Sequence, residues 1–586
     1  MRGHNERLDS PNPGNFIQLV KLLASYNEHV SSLVLDKAAF NASYTSPRIQ
    51  KEILHIFAKK VQNVIRENIG DAKYCVLVDE ARDESKREQM AIVLRFVDKH
   101  GYVMERFFDI VHVPNTTSLT LKKEICDVLR RHNLNVGDIR GQGYDGASNM
   151  RGEWSGLQAL ISNECPYAYY IHCFAHRLQL ALVAAAKEVI PIHHFFEKVN
   201  TITNVVTASC KRHDQLQAAQ AEEIARLIRI EELETGRGLN QVGTLKRASE
   251  TRWSSHLSSL RSLKIMYVAT CSVLKNIISD GTTYAQRADA DAVYDGITSF
   301  EFILILHIMI DILEISYDLC QALQCKSQDI VNAMHLVSTT KTLIQKLRED
   351  GWDLLFGKVK LFCEKMSIDI PNMTDHYTAG RGRSRRIKGP NTMAHHFQYD
   401  IFIATVDSQL QELNERFTAN MMELLVLCSA LDPRDDYKYF SIENVCKLVE
   451  KYYPDDFSEQ EKLHLRFQLE HFELDIHQFP GLKNLSTISE LCQELVKTRK
   501  AEIYPLVDRL VRLVLTLPIS TASGERAFSA MKLVKTRLRN KMEDDFLTSY
   551  LITYIEKEIA QSFDTDTIID EFCDMKERRL QFKLPK

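Results

Sequence analysis

The 586-residue sequence lacks the hallmarks of several protein classes. Its N-terminus has no apolar segment typical of a secretory signal, and its most hydrophobic run, FILILHIMIDILEI (302–315), is too short to span a bilayer. Its thirteen cysteines include no C-x-x-C pair, which argues against a disulfide framework and a four-cysteine zinc site. The formal net charge of −4 means that any nucleic-acid contact must come from local basic patches. We therefore predict a reducing compartment, no membrane and no small-molecule cofactor.

Hydrophobic periodicity divides the chain into regions of different character. A helical pattern over 15–69 gives way to short apolar runs rich in β-branched residues, and a helical pattern resumes from about 190 to 500. The runs predict strands at 74–80, 90–98, 102–113, 139–145 and 167–176, with a helix at 119–133. This order of elements resembles the ribonuclease-H-like fold. We expect a helix-rich α/β protein whose mixed five-stranded sheet is interrupted by a large all-α insertion.

Two aspartates occupy the positions where ribonuclease-H-like folds carry metal-binding acids. Asp79 ends the first predicted strand, and Asp145 follows the fourth in GYDGASNM. Two carboxylates at one sheet edge repel each other, and divalent cations with a preference for oxygen, Mg²⁺ or Mn²⁺, would relieve that repulsion. Asp145 can also be read as a simple turn former, and Asp83 is an alternative to Asp79 that spacing does not exclude.

Two locally basic stretches lie in the helical region. Arg252 and Trp253 could stack on an unpaired base while meeting a phosphate, although tryptophan is more often a core residue. A second stretch, AGRGRSRRIKGP, is a DNA contact, a nuclear-import signal or a solvated linker. Its arginines are Arg381, Arg383, Arg385 and Arg386.

The most specific signal is SGERAFS (523–529), which resembles the C-terminal dimerisation region of hAT-superfamily transposases. That resemblance covers roughly 15–560 and is nearest to plant zinc-finger MYM-type-like proteins. It implies an Asp-Asp-Glu site of Asp79, Asp145 and Glu525, with small residues around Asp145 leaving room for metal and DNA. It also implies a local structural or DNA-proximal role for Cys173 and His176, and a DNA role for Arg252 and Trp253. Residues 1–70 contain no cysteine, whereas the family usually begins with a Cys/His zinc finger, so we expect that finger to be lacking.

The resemblance suggests four regions and a function. They are an N-terminal helical segment (1–70), the first part of the core (71–200), a helical insertion (201–480) and a dimerisation region completing the core (481–586). The implied function is metal-dependent cleavage and joining of DNA by a nuclear homodimer or higher oligomer. The alternative is a catalytically silent nuclear protein that dimerises and binds DNA or protein.

The predicted dimer contact is an apolar stripe on the C-terminal helices. The same stripe could instead pack inside its own chain. Its residues are Phe528, Phe546, Tyr550, Leu551 and Tyr554.

Overall fold

The computed structural model describes residues 13–35, 44–234, 236, 240–248, 254–377, 391–417 and 422–576. The predicted positions Arg252, Trp253, Arg381, Arg383, Arg385 and Arg386 lie outside these ranges.

The five predicted strands form one mixed sheet in the order β3-β2-β1-β4-β5. β1 pairs antiparallel with β2 and parallel with β4, β2 pairs antiparallel with β3, and β4 pairs parallel with β5. This is the topology of a ribonuclease-H-like core, so the predicted fold class is confirmed. The strands are β1 (Tyr74–Arg82), β2 (Glu88–Val97), β3 (Val103–His112), β4 (Ile139–Tyr144) and β5 (Tyr169–His172).

Helices cover most of the remaining described chain. Those before β5 are α1 (Asn15–Tyr26), α2 (Glu28–Leu33), α3 (Pro47–Ile69), α4 (Ser118–Arg131), α5 (Ser148–Arg151) and α6 (Leu157–Ser162). The next ten are α7 (Phe174–Glu188), α8 (Ile190–Val206), α9 (Cys210–Arg229), α10 (Ser254–Ile265), α11 (Tyr267–Asp280), α12 (Tyr284–Ile297), α13 (Phe300–Leu323), α14 (Ile330–Met366), α15 (Met393–His395) and α16 (Ala404–Arg416). The last are α17 (Met422–Ser429), α18 (Arg434–Tyr437), α19 (Ile442–Tyr452), α20 (Glu459–Gln478), α21 (Ile488–Lys497), α22 (Lys500–Ile503), α23 (Pro505–Thr516), α24 (Ala522–Val534), α25 (Asp544–Ile555), α26 (Lys557–Gln561) and α27 (Thr565–Asp574).

The chain divides into two compact units. The first contains residues 1–173, 324–332 and 424–586, and the second contains 174–323 and 333–423. The predicted insertion, 201–480, is therefore wrong at both boundaries. Its C-terminal part belongs to the first unit because Asp456 accepts two hydrogen bonds, of 2.6 and 2.8 Å, from the buried Arg140 on β4.

The core of the first unit is built on both faces of the sheet. β2 is buried along nearly its whole length, which explains why its sequence is a continuous apolar run rather than an alternating one. Buried residues of α3, α4, α24 and α25 join the strands in this core. The predicted dimerisation region therefore contributes to the fold of its own chain.

The second unit is helical, and its most apolar helix is α13. Residues 302–310 of this helix are all buried, which explains why the most hydrophobic run of the sequence lies here. No single helix among the described residues has the length and apolar composition to cross a membrane; α12 and α13 meet those criteria only jointly, with a 65° bend between them.

Candidate active site

The strand register brings Asp79 and Asp145 to the same edge of the sheet. Leu77 on β1 pairs with Gly143 on the parallel strand β4. Asp79 and Asp145 each lie two residues beyond this pair in the sequence, and side chains two residues apart on a strand point to the same face. The resemblance to the ribonuclease-H-like fold predicts these two aspartates at one sheet edge; Asp79 lies within β1, and Asp145 directly follows β4.

Close backbone packing brings the third acid to this edge. A Cβ atom at Gly143 would lie 2.9 Å from Cβ of Pro518, so the bare backbone of β4 lets the segment before α24 approach the sheet. Gly524, in the first turn of α24, is equally close to β1: a Cβ atom at this position would lie 2.8 Å from Cβ of Asp79. Glu525 follows directly in the first turn of α24, where its side chain is half-buried.

Two of the glycines near Asp145 are in close contact with other protein groups. Pro518 packs against Gly143, and a Cβ atom at Gly146 would lie 2.7 Å from Cε1 of His172. Protein groups therefore occupy the space beside these glycines. Asp145 itself accepts a 3.1 Å hydrogen bond from the amide of Ala147, as in an ordinary Asx turn.

The three acids interact electrostatically. Burial, followed by the charges of Glu525 and Asp145, raises the pKa of Asp79 to about 8, despite a 3.1 Å hydrogen bond from the amide of Glu80. Carboxylate oxygens are the donors that Mg²⁺ and Mn²⁺ prefer, so the chemistry of the set suits such ions. However, in the part of the chain that the structure describes, no three His, Cys, Asp or Glu side chains are grouped closely enough to hold a metal ion.

The alternative acid, Asp83, lies in a different environment. Its carboxylate is buried and accepts a 2.6 Å hydrogen bond from Nζ of Lys535, which is also buried. Although burial acts to raise the pKa of Asp83, the bonds from Lys535, the Arg87 amide and Gln89 lower it overall. Asp83 is thus neutralised within the protein, and Asp79 is the better candidate for a metal ligand.

A buried polar network holds the first turn of α24 in place. Arg95 on β2 donates a 2.8 Å hydrogen bond to one carboxylate oxygen of Glu105 on β3. The other oxygen accepts a 2.5 Å hydrogen bond from the hydroxyl of Ser523, which in turn accepts one of 2.6 Å from Arg526. Ser523 and Arg526 of the SGER motif therefore flank Glu525 with anchoring contacts.

The same network also binds residues 324–328. This short segment belongs to the first unit, although in the sequence it lies between two segments of the second unit. Arg95 donates to the carbonyls of Lys326 and Gln328 at 3.1 and 2.6 Å. Arg526 donates to the carbonyl of Gln324 at 3.1 Å. Sequence reasoning missed this network, since the separations between its members give no local signal.

Sequence reasoning also missed Glu80, which follows Asp79 on β1. Its Oε1 atom is buried and has no hydrogen-bond partner among the described residues, and Oε2 is 3.5 Å from Nδ2 of Asn149. Burial, with a contribution from the charge of Asp145, raises the pKa of Glu80 to about 7. Its position directly after Asp79 in VDE was the available signal.

Cys173 has a structural position rather than a DNA-facing one. It is buried, and its Sγ atom accepts a 3.3 Å hydrogen bond from the amide of Thr521, immediately before α24. A direct DNA contact for Cys173 is therefore wrong, whereas a local structural role agrees with this geometry. His176 is on α7, in the second unit, so the two residues belong to different compact units.

The predicted dimer stripe is largely internal. Phe528 and Leu551 are buried in the core of the first unit, so assigning them to an exposed stripe is wrong. Phe546 and Tyr550 are half-buried, with ring centroids 6.3 Å apart. Tyr554 is the most accessible of the five, at 47% exposure.

Comparisons with known proteins agree with the fold and the sequence motifs. Residues 1–156 match the family described as ZMYM1/FAM200, RNase-like domain, and residues 487–559 match the hAT family C-terminal dimerisation region. In these two regions the chain is therefore similar to hAT-derived, transposase-like proteins, including their dimerisation region.

Two curated relatives extend this similarity over most of the chain. The "52 kDa repressor of the inhibitor of the protein kinase" of Mus musculus is 21% identical over 96% of this chain and 72% of the relative. The protein of the same name from Homo sapiens is 20% identical over 96% of this chain and 71% of the relative.

Proposed function

We propose that this protein is a metal-dependent DNA-cleaving and strand-joining enzyme of the hAT transposase type, with Asp79, Asp145 and Glu525 as its catalytic acids. The observation that carries the proposal is the close approach of α24 to β1: a Cβ atom at Gly524 would lie 2.8 Å from Cβ of Asp79, and Glu525, 446 positions after Asp79 in the sequence, follows directly. The charges of Glu525 and Asp145 add to burial in raising the pKa of Asp79. A fold that gathers three acids without a compensating cation retains an electrostatic cost, which is typical of functional sites.

The three carboxylates would hold Mg²⁺ or Mn²⁺ and would have to draw closer to one another to do so. Such ions, when bound, activate a water or a 3′-hydroxyl and stabilise the leaving oxygen of a phosphodiester. The protein's own contribution is positioning: the β1 and β4 backbones fix the two aspartates, and the Ser523 anchor fixes the helix of Glu525. Asp79 must also lose its proton before it can act as a ligand.

The proposed partners are DNA and a second copy of the chain, in the nucleus. Oligomerisation is supported by the match to the hAT dimerisation region. A nuclear location is supported only by the relatives' name, which describes a repressor.

A second candidate function is a catalytically silent regulator that acts through dimerisation and binding of DNA or protein. It is favoured by the spacing of the acids, since the described residues contain no ready-made metal group. The relatives named as repressors point in the same direction.

A plasmid-nicking assay separates the two candidates. The wild-type chain and Asp145→Asn would each be incubated with supercoiled plasmid and Mg²⁺ or Mn²⁺. Asp71→Asn is a matched control because Asp71 is an exposed acid on the turn before β1. We expect nicking by the wild type and Asp71→Asn and none by Asp145→Asn. Equal nicking by all three would indicate a contaminant, and silence from a folded wild type would favour the regulator.

A further inference from the structure

A stretch whose charged residues are all positive begins immediately after Glu525. Residues 526–542 contain six lysines and arginines and no aspartate or glutamate, in a chain whose acids outnumber its lysines and arginines by 78 to 74. Uninterrupted positive charge of this kind is an electrostatic footprint of nucleic-acid binding when it is solvent-exposed. The structure shows which of the six cations are exposed and which are engaged.

Three of the cations are engaged within the protein. Lys535 is buried against Asp83, and Arg526 donates to Ser523 and to the Gln324 carbonyl. Arg539 lies over the ring of Tyr550, 5.7 Å from its centroid. These contacts fix the segment rather than offer charge to a ligand.

The other three, Lys532, Arg537 and Lys541, form an exposed set that we call the basic face. Arg537 has a side-chain exposure of 92%, and its nearest acid, Glu84, is 3.9 Å away and itself exposed. Lys532 and Lys541 have no ion-pair partner in the described part of the chain. Lys532 and Lys541 therefore present positive charge to solvent, and Arg537 presents its charge beside one exposed acid.

Of the three acids that follow this segment, two are paired with cations outside it. Glu543 is paired with Lys51 at 2.5 Å, and Asp544 accepts two hydrogen bonds from Arg87, at 3.0 and 2.8 Å. Glu543 and Asp544 are thus each paired with a cation on another element, whereas the third acid of this run, Asp545, is exposed.

The basic face is rigidly placed and close to the candidate acids. Lys532 lies seven residues after Glu525 on α24, which places it on the same side of the helix at about 10 Å along the axis. Beyond the helix, the Lys535–Asp83 pair and a 2.5 Å hydrogen bond from Ser85 to the Asn540 carbonyl hold the turn against the β1–β2 loop. Because these anchors precede ligand binding, little ordering is needed when a partner binds.

We infer that the basic face binds the sugar–phosphate backbone of duplex DNA and guides it towards the edge of the sheet that carries Asp79, Asp145 and Glu525. The inference deepens the proposed function and rests on it for the identity of the ligand. A cluster of carboxylates repels phosphates, and adjacent fixed cations offset that repulsion. Leu533 and Leu538, which are 69% and 82% exposed, interrupt the basic face with apolar surface suited to deoxyribose.

Binding of a fluorescent 30-base-pair duplex, measured by anisotropy in EDTA over a salt series, tests the inference without any catalytic step. The test variant of the full chain is Lys532→Ala with Arg537→Ala and Lys541→Ala. The control carries Arg48→Ala, Arg130→Ala and Lys497→Ala, three exposed cations of the same unit with the same total charge change. Thermal melting of all three proteins checks that they are folded.

We expect the test variant to lose affinity on the order of tenfold, and its log–log salt slope to fall by about 3, since each phosphate contact contributes about 0.9. The control should bind like the wild type. Equal binding by the test variant and the control, or no binding by the wild type at low salt, would overturn the inference. Polyglutamate, measured in the same way, represents an acidic protein. If the test variant bound DNA like the wild type but bound polyglutamate more weakly, the basic face would be a site for an acidic protein, and the inference would also be overturned.

Plasmid nicking with Mn²⁺, measured on the same proteins, separates this inference from the proposed function. If the wild type does not nick DNA but its DNA binding is weakened by the basic-face substitutions, the binding surface is supported and the enzymatic function is rejected. If the wild type nicks DNA but its DNA binding is not weakened by those substitutions, the enzymatic function is supported and the binding surface is rejected.

Discussion

Asp79 and Asp83 lie four residues apart at the end of β1, and their surroundings are opposite. Asp83 is buried with a lysine ammonium 2.6 Å away and with hydrogen bonds from two backbone amides and Gln89. Asp79 receives one backbone amide and has two further acids nearby. A buried acid with a complete set of donors serves the fold, whereas an acid left without a cation indicates a site for an external one.

The largest effect should come from removing the cation of the structural pair. Lys535→Met would leave the Asp83 carboxylate buried without its countercharge, and breaking a buried pair in this way costs about 3–5 kcal/mol. Urea denaturation followed by circular dichroism measures the loss in the free energy of unfolding.

The matched control for this pair is the double variant Lys535→Met with Asp83→Asn, which should recover a large part of the loss because no charge remains buried. A single variant within 1 kcal/mol of the wild type would contradict the assignment of Asp83 as a structural acid.

The next effect concerns the pH dependence of stability, to which Asp79 should contribute, alongside Glu80, in the absence of metal. Its folded-state pKa of about 8 lies above its ordinary value of 3.8, so between these values the folded protein holds a proton that the unfolded chain has released. The free energy of unfolding should therefore fall as the pH rises through this window. From pH 5 to pH 8 the contribution is at most about 4 kcal/mol, at about 1.4 kcal/mol per unit.

Asp79→Asn removes this titration while keeping an oxygen that can accept the Glu80 amide. Its stability relative to the wild type should increase from pH 5 to pH 8, as measured by urea denaturation in EDTA. Asp127→Asn, on the exposed part of α4, provides a control that should not change the pH dependence. Parallel pH profiles for the wild type and Asp79→Asn would show that Asp79 does not carry the electrostatic cost described above.

The sequence predicted the features of this comparison that depend on local pattern. The β-branched runs predict the strands, and the resemblance of their order to the ribonuclease-H-like fold predicts that Asp79 on β1 and Asp145 after β4 meet at one edge. Spacing did not distinguish Asp79 from Asp83, because the cation that neutralises Asp83 is 452 residues away in the sequence. Pairing between distant side chains has no local periodicity that could reveal it.

The same limit explains the errors in domain boundary and dimer contact. A helical pattern over 424–480 gives no indication that Asp456 pairs with Arg140 on β4. An apolar stripe on α25 predicts burial, but the pattern does not say whether the covering surface belongs to the same chain. Here Leu551 is covered by the chain's own core.

The smallest of the expected effects tests whether the SGER motif serves the position of Glu525. Ser523→Ala removes the hydroxyl that donates to Glu105, which remains paired with Arg95, so we expect a loss of about 1 kcal/mol in the free energy of unfolding. Hydrogen exchange at the amides of Gly524 and Glu525 should increase more than this global loss explains, because the first turn of α24 loses its anchor. Ser529→Ala is the matched control, since its hydroxyl is exposed and bonds only to the Glu525 carbonyl, at 3.1 Å. If Ser529→Ala and Ser523→Ala changed exchange at these amides equally, the buried network would be a stabilising contact of the core and not the element that sets Glu525 beside Asp79.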